Sequence, residues 1–369
     1  MSRIRVLVVD DSAFMRKVTS DILASSPDIE VVGRAKNGLD AIEKTVRLKP
    51  DVVTMDIEMP VLDGLQALGY IMSECPTPVI MLSAANSTDV TITSFQYGAV
   101  DFIVKPSGEI SRDMVNIKEE LIKKVKAAAS VGVQKLGFIE DADKKETVGK
   151  KLLFDFLDSS IEETDKKQKA EPPRKTKSQK VIVIGSSTGG PRALQQVIPL
   201  LPSRFDAAVL VVQHMPPGFT KSLAERLNSQ SMVKVREAED GDIVEPGTVF
   251  IAPGDFHMIV KQQKKNGELK EVIALTKGER VQGVRPSVDV LLNSVAPIYG
   301  DKAVGVILTG MGSDGSEGIK NLKSAGGRVI AEDESTCVVY GMPKSVIERK
   351  LADYILPINK IAEGIVQMA

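Results

Sequence analysis

Apolar residues follow two alternating spacings along the first third of the chain. Short β-branched runs are bounded by polar turns, and each is followed by a longer segment with apolar residues at helical spacing. The run RVLVVDD has the continuous apolar character of a buried parallel strand, and Ser12 stands where it would cap the next helix. The pattern predicts five strands with intervening helices, and hence a doubly wound, flavodoxin-like parallel sheet over residues 1–125.

A second alternation of strands and helices starts at Lys180. Six segments have the pattern of strands: VIVIGSS, AAVLVVQH, TVFIAPG, AVGVILTG, RVIAED and DYILP. The segment HMIVKQQKKNGELKEVIALT predicts a hairpin with Asn266–Gly267 at its turn. We therefore expect residues 180–369 to form a second α/β domain, a Rossmann-like doubly wound sheet with an antiparallel hairpin.

Residues 126–179 lose this alternation, so they are predicted to link the two domains. Their end, TDKKQKAEPPRKTKSQK, is rich in lysine and contains two adjacent prolines, which is typical of a solvated, flexible linker. A basic arm for nucleic acid or anionic lipid is the alternative interpretation. Within the linker, KKLLFDFLDSSIEE has the pattern of a short amphipathic helix.

Composition narrows the class of protein. With 369 residues the chain is long for one core, which favours two domains. The 48 basic and 49 acidic side chains nearly cancel, so nucleic-acid binding has no global electrostatic support. No apolar run is long enough to span a bilayer, and acidic residues come too early for a signal peptide. We expect a cytoplasmic protein that is not inserted in a membrane, with Cys75 and Cys337 as buried thiols.

Polar side chains gather at the strand ends of the first predicted sheet. In order along the chain they are Asp10, Asp11, Asp56, Ser83 and Lys105. The carboxyl ends of parallel strands meet at one edge, so three carboxylates would share a crevice. Each acid alone could simply cap a helix. Together they favour a Mg²⁺ site, with a lysine and a hydroxyl placed to hold a phosphoryl group transferred to a carboxylate.

The stretch VIVIGSSTGGPRAL opens the second domain as strand, tight turn and helix, with Pro191 suited to the first helical turn. Its turn could bind a dinucleotide phosphate, or it could hold a nucleophilic serine in a G-x-S-x-G motif. Dinucleotide binding needs an acidic residue at the end of the next strand, where this chain has Gln213 and His214. Ser187 also occupies the place of the second glycine, so the serine interpretation is favoured.

A nucleophilic serine needs a base and an orienting acid. The chain has only two histidines, of which His214 ends a predicted strand beside that of Ser187, while His257 opens the hairpin. Asp314 follows another strand in the glycine-flanked turn GVILTGMGSDG. His214 could instead be an ordinary turn residue, and Asp314 the cap of the helix GSEGIKNLKSA. Their joint placement predicts an acyl-transfer site formed by Ser187, His214 and Asp314.

The motifs LVVDDS, MDIEMPVLDG, LSA and DFIVKP resemble the response-regulator receiver domain over the whole first segment. This resemblance implies that Asp56 accepts the phosphoryl group. It implies that Asp10 and Asp11 lie at the Mg²⁺ site, with the backbone carbonyl of Glu58 as a further ligand. The roles implied for the remaining positions are phosphoryl sensing by Ser83 and Lys105 and an aromatic switch at Phe102.

The motifs IGSSTGGP, VQHMPPGFT, IAPGD, RPSVDVL, ILTGMGSDG and VVYGMP are similar to the catalytic domain of the chemotaxis protein-glutamate methylesterases. The resemblance implies the same triad, with Thr188 beside the nucleophile, the amide of Met311 as an oxyanion contact and no cofactor in this domain. Two positions depart from the family: Ser186 replaces a usual alanine, and Ser313 replaces a frequent asparagine. With a serine at position 186 the chain has two adjacent serines, of which the G-x-S-x-G register selects Ser187.

Together the two resemblances imply a phosphorylation-activated hydrolase of sensory adaptation. Its substrates would be glutamate methyl esters, and certain glutamines, on the cytoplasmic domains of chemotaxis receptors, and a histidine kinase would be its phosphodonor. The family also implies that the unphosphorylated receiver covers the catalytic crevice. A phosphorylation-gated binding module with idle catalytic residues remains the alternative, and a nucleotide-dependent oxidoreductase is disfavoured by Gln213.

Overall fold

The structure, a computed structural model, describes residues 3–84, 87–105, 113–132, 180–265 and 268–369. The chain separates into two compact units, Met1–Lys167 and Gln168–Ala369, and each is described by itself. The point of separation, the amphipathic segment of the linker and the Asn266–Gly267 turn lie outside the described residues. The domain limits set by the sequence pattern therefore stay predictions.

The first unit is a five-stranded sheet in which every neighbouring pair is parallel. Its strands are β1 (Ile4–Val9), β2 (Ile29–Ala35), β3 (Val52–Asp56), β4 (Val79–Ser83) and β5 (Asp101–Val104). Its helices are α1 (Ala13–Ala24), α2 (Gly38–Leu48), α3 (Gly64–Glu74), α4 (Thr88–Ser94) and α5 (Asp113–Ala129). The strand order is β2-β1-β3-β4-β5, the flavodoxin-like arrangement that the sequence predicts.

Local chemistry explains where two helices of this unit begin. The hydroxyl of Ser12 accepts a 3.4 Å hydrogen bond from the Met15 amide, so Ser12 caps α1 as predicted. Asp63 and Gln66 form a reciprocal capping box at the start of α3. Gly64 follows the cap because the chain folds back on β3 here, and a Cβ atom at this position would lie 1.9 Å from the Asp56 carbonyl oxygen. The turn thus brings α3 close to the phosphoacceptor candidate.

The second unit is a seven-stranded parallel sheet with a separate antiparallel pair. Its sheet strands are β6 (Lys180–Ser186), β7 (Ala207–Gln213), β8 (Lys234–Glu237), β9 (Thr248–Ile251), β12 (Ala303–Ile307), β13 (Arg328–Glu332) and β14 (Tyr354–Leu356), and β10 (His257–Lys265) pairs with β11 (Glu268–Thr276). Its helices are α6 (Gly190–Val197), α7 (Phe219–Gln230), α8 (Val288–Tyr299), α9 (Ser316–Ser324), α10 (Met342–Glu348) and α11 (Ile358–Met368), with 3₁₀ turns at Ile198–Leu200 and Gly300–Lys302. The α/β class and the antiparallel hairpin are as predicted.

The strand order of the second unit is β14-β13-β12-β6-β7-β9-β8. β6 therefore lies between β7 and β12, although β12 follows it by more than 100 residues along the chain. The core packs side chains of these strands, such as Val183 and Leu210, against the apolar face of α8. The sequence pattern missed β8, because this four-residue edge strand buries only Val235 fully and carries charged residues that suit an exposed edge.

Candidate functional site

Ser187 lies directly after β6, where the chain turns into α6. Its amide donates a 3.0 Å hydrogen bond to the Thr309 carbonyl, and its own carbonyl accepts from the Gly190 amide at 2.8 Å. Pro191 is in the first turn of α6, as its sequence position predicts. The serine is half-buried. These bonds hold it at the carboxyl edge of the sheet, between the ends of the two neighbouring strands.

The two adjacent serines have different surroundings. Ser186 is fully buried, and its hydroxyl donates a 2.7 Å hydrogen bond to the side-chain oxygen of Gln213. The hydroxyl of Ser187 makes no hydrogen bond within the described part of the chain. Of the two serines, Ser187 is therefore the one whose hydroxyl is not engaged by the described residues.

His214 follows β7 and contacts the acid that the sequence pairs with it. Its Nε2 atom lies 2.8 Å from Oδ2 of Asp314. Its amide donates to the Ser186 carbonyl at 3.1 Å, which fixes its backbone beside the serine turn. Nδ1 of His214 has no hydrogen-bond partner among the residues described. Since the carboxylate accepts the Nε2 proton, Nδ1 is left as the acceptor, which is the arrangement a general base requires.

Asp314 is 3% exposed and saturated with hydrogen bonds. Besides His214, it accepts from the Ser287 hydroxyl at 2.7 Å and from the amides of Val288 at 2.7 Å and Asp289 at 3.1 Å. Burial alone raises the pKa of this carboxyl, but the hydrogen bonds from His214, Val288 and Ser287 outweigh it and hold the pKa below its ordinary value. Asp314 is thus a fixed carboxylate that orients the imidazole.

Asp314 caps a helix other than the one expected. The sequence suggested that it caps GSEGIKNLKSA, but the N-cap of that helix, α9, is Gly315. Asp314 instead binds the first turn of α8, whose own N-cap is Ser287. A helix N-terminus carries a partial positive charge, which stabilises the ionised acid. Local sequence cannot show this contact, because the first turn of α8 precedes Asp314 by more than twenty residues.

A third loop faces the serine from the β12 side. A Cβ atom on Gly310 would lie 2.8 Å from Cβ of Ser187, so only glycine allows this approach. The next amide, that of Met311, has no hydrogen-bond partner in the described ranges of the chain. Thr188, adjacent to Ser187, is 3% exposed, and its carbonyl accepts from the Thr309 hydroxyl at 3.0 Å. An amide with this geometry beside Ser187 is suited to stabilise an oxyanion.

Buried residues that the sequence did not single out support these loops. Glu332, at the end of β13 and 1% exposed, accepts a 2.7 Å hydrogen bond from the Thr309 amide. Asp289 accepts from the Gly318 amide of α9 at 2.7 Å. A buried acid at the end of an apolar strand, as in RVIAED, was the available signal for Glu332. Asp289 had a weaker signal, an acid in the first turn after a serine cap. His257, the weaker base candidate, is 2% exposed and binds the Glu279 carbonyl instead.

The first unit brings its predicted acids together. Ligand atoms of Asp10, Asp11 and Asp56 lie within 4.8 Å of one another. The Lys105 ammonium lies 2.7 Å from Asp10 and 2.6 Å from Asp56. Burial and the charges of Asp10 and Asp11 raise the pKa of Asp56 to about 6, although Lys105 opposes this shift. One ammonium does not balance three carboxylates, and an all-oxygen donor set with this excess charge fits a hard divalent cation such as Mg²⁺.

Of the three residues implied in the phosphoryl switch, Ser83, Lys105 and Phe102, the first and the last also contact neighbouring side chains. The Ser83 hydroxyl lies 2.6 Å from that of Thr91 and donates to the Ala84 carbonyl at 3.0 Å. The Phe102 ring is 3% exposed and meets the Phe95 ring edge-on at 6.1 Å. The Lys124 ammonium lies over the Phe102 ring at 5.3 Å and donates to its carbonyl at 2.6 Å. Both residues occupy the strand positions that the sequence predicts.

Comparison with known proteins covers both units. Residues 182–365 match the CheB methylesterase family, and residues 6–114 match the response regulator receiver domain family. Within the described part of the chain, no helix has both the length and the apolar character needed to cross a membrane.

Full-length relatives match the chain from end to end. A protein-glutamate methylesterase/protein-glutamine glutaminase of Thermotoga maritima is 50% identical over 367 residues, covering 99% of this chain and 98% of that protein. One of Methanosarcina mazei is 48% identical over 367 residues, covering 99% of this chain and 96% of that protein. The crystal structure of the Thermotoga maritima CheB methylesterase catalytic domain is 56% identical and covers 52% of this chain and 98% of that one, with a TM-score of 0.49.

Proposed function

Because the chain belongs to the family of protein-glutamate methylesterases/protein-glutamine glutaminases, with a receiver domain ahead of the methylesterase domain, we propose that it is a phosphorylation-activated hydrolase of chemotaxis receptors. Its substrates are glutamate γ-methyl esters and certain glutamine side chains. The catalytic residues are Ser187, His214 and Asp314. The observation that carries the assignment is the 2.8 Å contact of His214 with Asp314 beside Ser187, whose hydroxyl no described residue engages.

The first half of the reaction forms an acyl-enzyme. Ser187 Oγ attacks the γ-carbonyl carbon of the substrate, and Nδ1 of His214 takes the hydroxyl proton. The negative charge that develops on the carbonyl oxygen is stabilised by the Met311 amide, a contribution of about 3 kcal/mol for one such donor. His214 then delivers its proton to the leaving group, which departs as methanol from an ester or as ammonia from an amide.

The second half repeats these roles with water. His214 takes a proton from water, whose oxygen attacks the acyl carbon, and returns it to Ser187 Oγ as the ester bond breaks. A free glutamate carboxylate remains on the receptor. Asp314 stays ionised throughout, because four hydrogen bonds hold it. Its role is to keep the imidazole in one orientation and to stabilise the imidazolium that forms in each half-reaction.

The receiver is proposed to set the activity of the hydrolase. A histidine kinase supplies the phosphoryl group, and a carboxylate oxygen of Asp56 is the acceptor. Asp10, Asp11 and Asp56, with the Glu58 carbonyl, would hold Mg²⁺. The cation would offset the negative charge of the incoming phosphoryl group. Lys105 is placed to pair with the phosphoryl oxygens.

The proposal also covers the conformational switch in the receiver and the cellular location of the protein. A phosphoryl group on Asp56 draws the Ser83 hydroxyl away from Thr91, and the space this leaves allows Phe102 to move. The kinase and the receptor domain named as partners face the cytoplasm, so we place the action of the protein there.

The test compares the two adjacent serines. Methanol release from a methylated receptor fragment is measured for the wild type, Ser187→Ala and Ser186→Ala. Ser187→Ala is expected to lower kcat by at least about a thousandfold, because it removes the nucleophile. Ser186→Ala removes a hydroxyl of the same size from the neighbouring residue and is expected to stay within about tenfold of the wild type. Near-normal methanol release by Ser187→Ala would leave the protein as a phosphorylation-gated binding module.

A further inference from the structure

Gln213 occupies a buried position between the nucleophile and the base. It is the last residue of β7, is 2% exposed and precedes His214 directly. In the sheet it pairs with Ser186, the residue before Ser187. The sequence drew attention to Gln213 only as a poor partner for a dinucleotide. Its side chain has no part in the reaction steps above, although it lies between two of the proposed catalytic residues.

The side-chain amide of Gln213 forms hydrogen bonds with three neighbouring residues, Ser186, Ser187 and His214. Nε2 donates to the carbonyl of Ser187 at 2.9 Å and to that of His214 at 3.1 Å. Oε1 accepts from the Ser186 hydroxyl at 2.7 Å. Two carbonyl acceptors on one side and a hydroxyl donor on the other fix which atom is nitrogen and which is oxygen. Both amide hydrogens are therefore used to join the backbone of the nucleophile to that of the base.

The surrounding chain is shaped to hold this amide. A Cβ atom at Gly190 would lie 2.0 Å from Oε1 of Gln213, so any larger residue there would displace the side chain. The Ser187 carbonyl accepts a second hydrogen bond, from the Gly190 amide at 2.8 Å. Ser186, where the family usually has alanine, supplies an additional bond that a methyl group cannot make. The turn is thus held more firmly than the glycine-rich sequence suggests.

We propose that Gln213 is a positioning residue of the hydrolytic site, and that Ser186 strengthens its hold in this chain. By joining the backbones of Ser187 and His214, Gln213 fixes the position of the serine relative to the imidazole before substrate binds. This inference rests on the proposed function, since it assumes that Ser187 is the nucleophile and His214 the base. A displacement of about 1 Å between such groups lowers the rate by about a hundredfold.

The experiment separates positioning from substrate binding and from folding. Gln213→Met keeps the length of the side chain and removes all three hydrogen bonds, and Ser186→Ala removes one of them. Gln230→Met, at an exposed glutamine that ends α7, is the matched control. For each full-length variant, kcat and KM are measured by methanol release, and the rate at which a fluorophosphonate labels Ser187 is measured without substrate. Thermal unfolding records the stability of each variant.

Gln213→Met is expected to lower both kcat and the labelling rate by about a hundredfold with KM nearly unchanged. Ser186→Ala is expected to lower both by a few-fold, and Gln230→Met to change neither. A wild-type labelling rate in Gln213→Met, or a rise in KM alone, would overturn the inference. If Gln213→Met does not fold, Ser186→Ala decides: an unchanged labelling rate in that variant refutes the proposed role of the hydrogen bonds.

A Ser187→Ala sample keeps the two proposals apart. If that variant is still labelled or still releases methanol, the proposed function itself fails, whatever Gln213 does. If Ser187→Ala is inactive and Gln213→Met labels at the wild-type rate, only the positioning role fails.

Discussion

The two units each gather carboxylates at the carboxyl edge of a parallel sheet, but they neutralise them differently. In the receiver, Asp10 and Asp56 share one ammonium, that of Lys105, and Asp11 is exposed. In the second unit, Asp314 receives its hydrogen bonds from an imidazole, a hydroxyl and two helix amides. The first set is left short of positive charge and can accept a cation and a phosphoryl group. The second is saturated and can only orient its neighbour.

The second unit also holds a pair of acids that cap each other's helices. Asp314, just before α9, binds the first-turn amides of α8, while Asp289, in the first turn of α8, binds the Gly318 amide of α9. Each carboxylate faces the positive end of the opposite helix. Burial and the nearby charge of Asp314 raise the pKa of Asp289 to about 6. Backbone amides at the starts of the two helices thus stabilise both buried carboxylates.

We expect the largest effect on kcat from a substitution that removes the charge of Asp314, the proposed orienting acid. Asp314→Asn keeps the shape of the side chain but removes the charge, and its amide can hold the imidazole in the wrong tautomer. We expect kcat to fall by about 10³- to 10⁴-fold. Methanol release in the absence of phosphodonor measures it, with Asp56→Asn as the matched carboxylate-to-amide control in the receiver. A comparable loss of kcat in Asp56→Asn would mean that the receiver acids also contribute to basal hydrolysis, contrary to this comparison.

A smaller effect is expected on the way the free energy of unfolding depends on pH. Burial raises the pKa of Asp289 to about 6 in the folded protein, and we take its ordinary value of 3.8 for the unfolded chain. Between these values the folded state binds more protons, so the free energy of unfolding falls as the pH rises. Asp289→Asn removes this dependence. From pH 4 to pH 7, the variant should gain up to about 3 kcal/mol relative to the wild type.

Calorimetry of the transition of the second unit measures this difference at each pH. Asp353→Asn, at a residue that binds the Val329 amide near the opposite end of the sheet, controls for the loss of a carboxylate that accepts a backbone hydrogen bond. An Asp289→Asn difference that stays constant with pH would contradict the proposed electrostatic conflict between the two acids.

The smallest expected effect concerns regulation. With Mg²⁺ and a small phosphodonor such as acetyl phosphate, the wild type should hydrolyse ester faster, by a factor between about 5 and 150 that is typical of coupling between sites. Asp56→Asn should keep its basal rate and lose this activation. Chelation of Mg²⁺ should abolish the activation of the wild type without lowering its basal rate. Activation that persists in Asp56→Asn would show that the receiver acids are not the acceptor site.

The sequence predicted which polar side chains gather at the sheet edges, because these residues stand at strand ends. Ser187, His214 and Asp314 each follow an apolar run, and parallel topology brings such positions to one edge. What it did not predict depends on contacts between distant segments. The contact of Asp314 with the first turn of α8 and the bonds of Gln213 to Ser186 and Ser187 join elements that no local pattern relates. The edge strand β8 was missed for a different reason, its short length and charged residues.

The position of β6 between β7 and β12 also bears on how the enzyme is made. A chain emerging from the ribosome presents the serine turn early and the imidazole soon after, but the acid that orients it comes more than 100 residues after the serine. A product that ends before Asp314 would therefore contain Ser187 and His214 without the carboxylate that binds the imidazole. On the proposed mechanism, we expect such a product of premature termination or proteolysis to lack esterase activity rather than to act as an unregulated esterase.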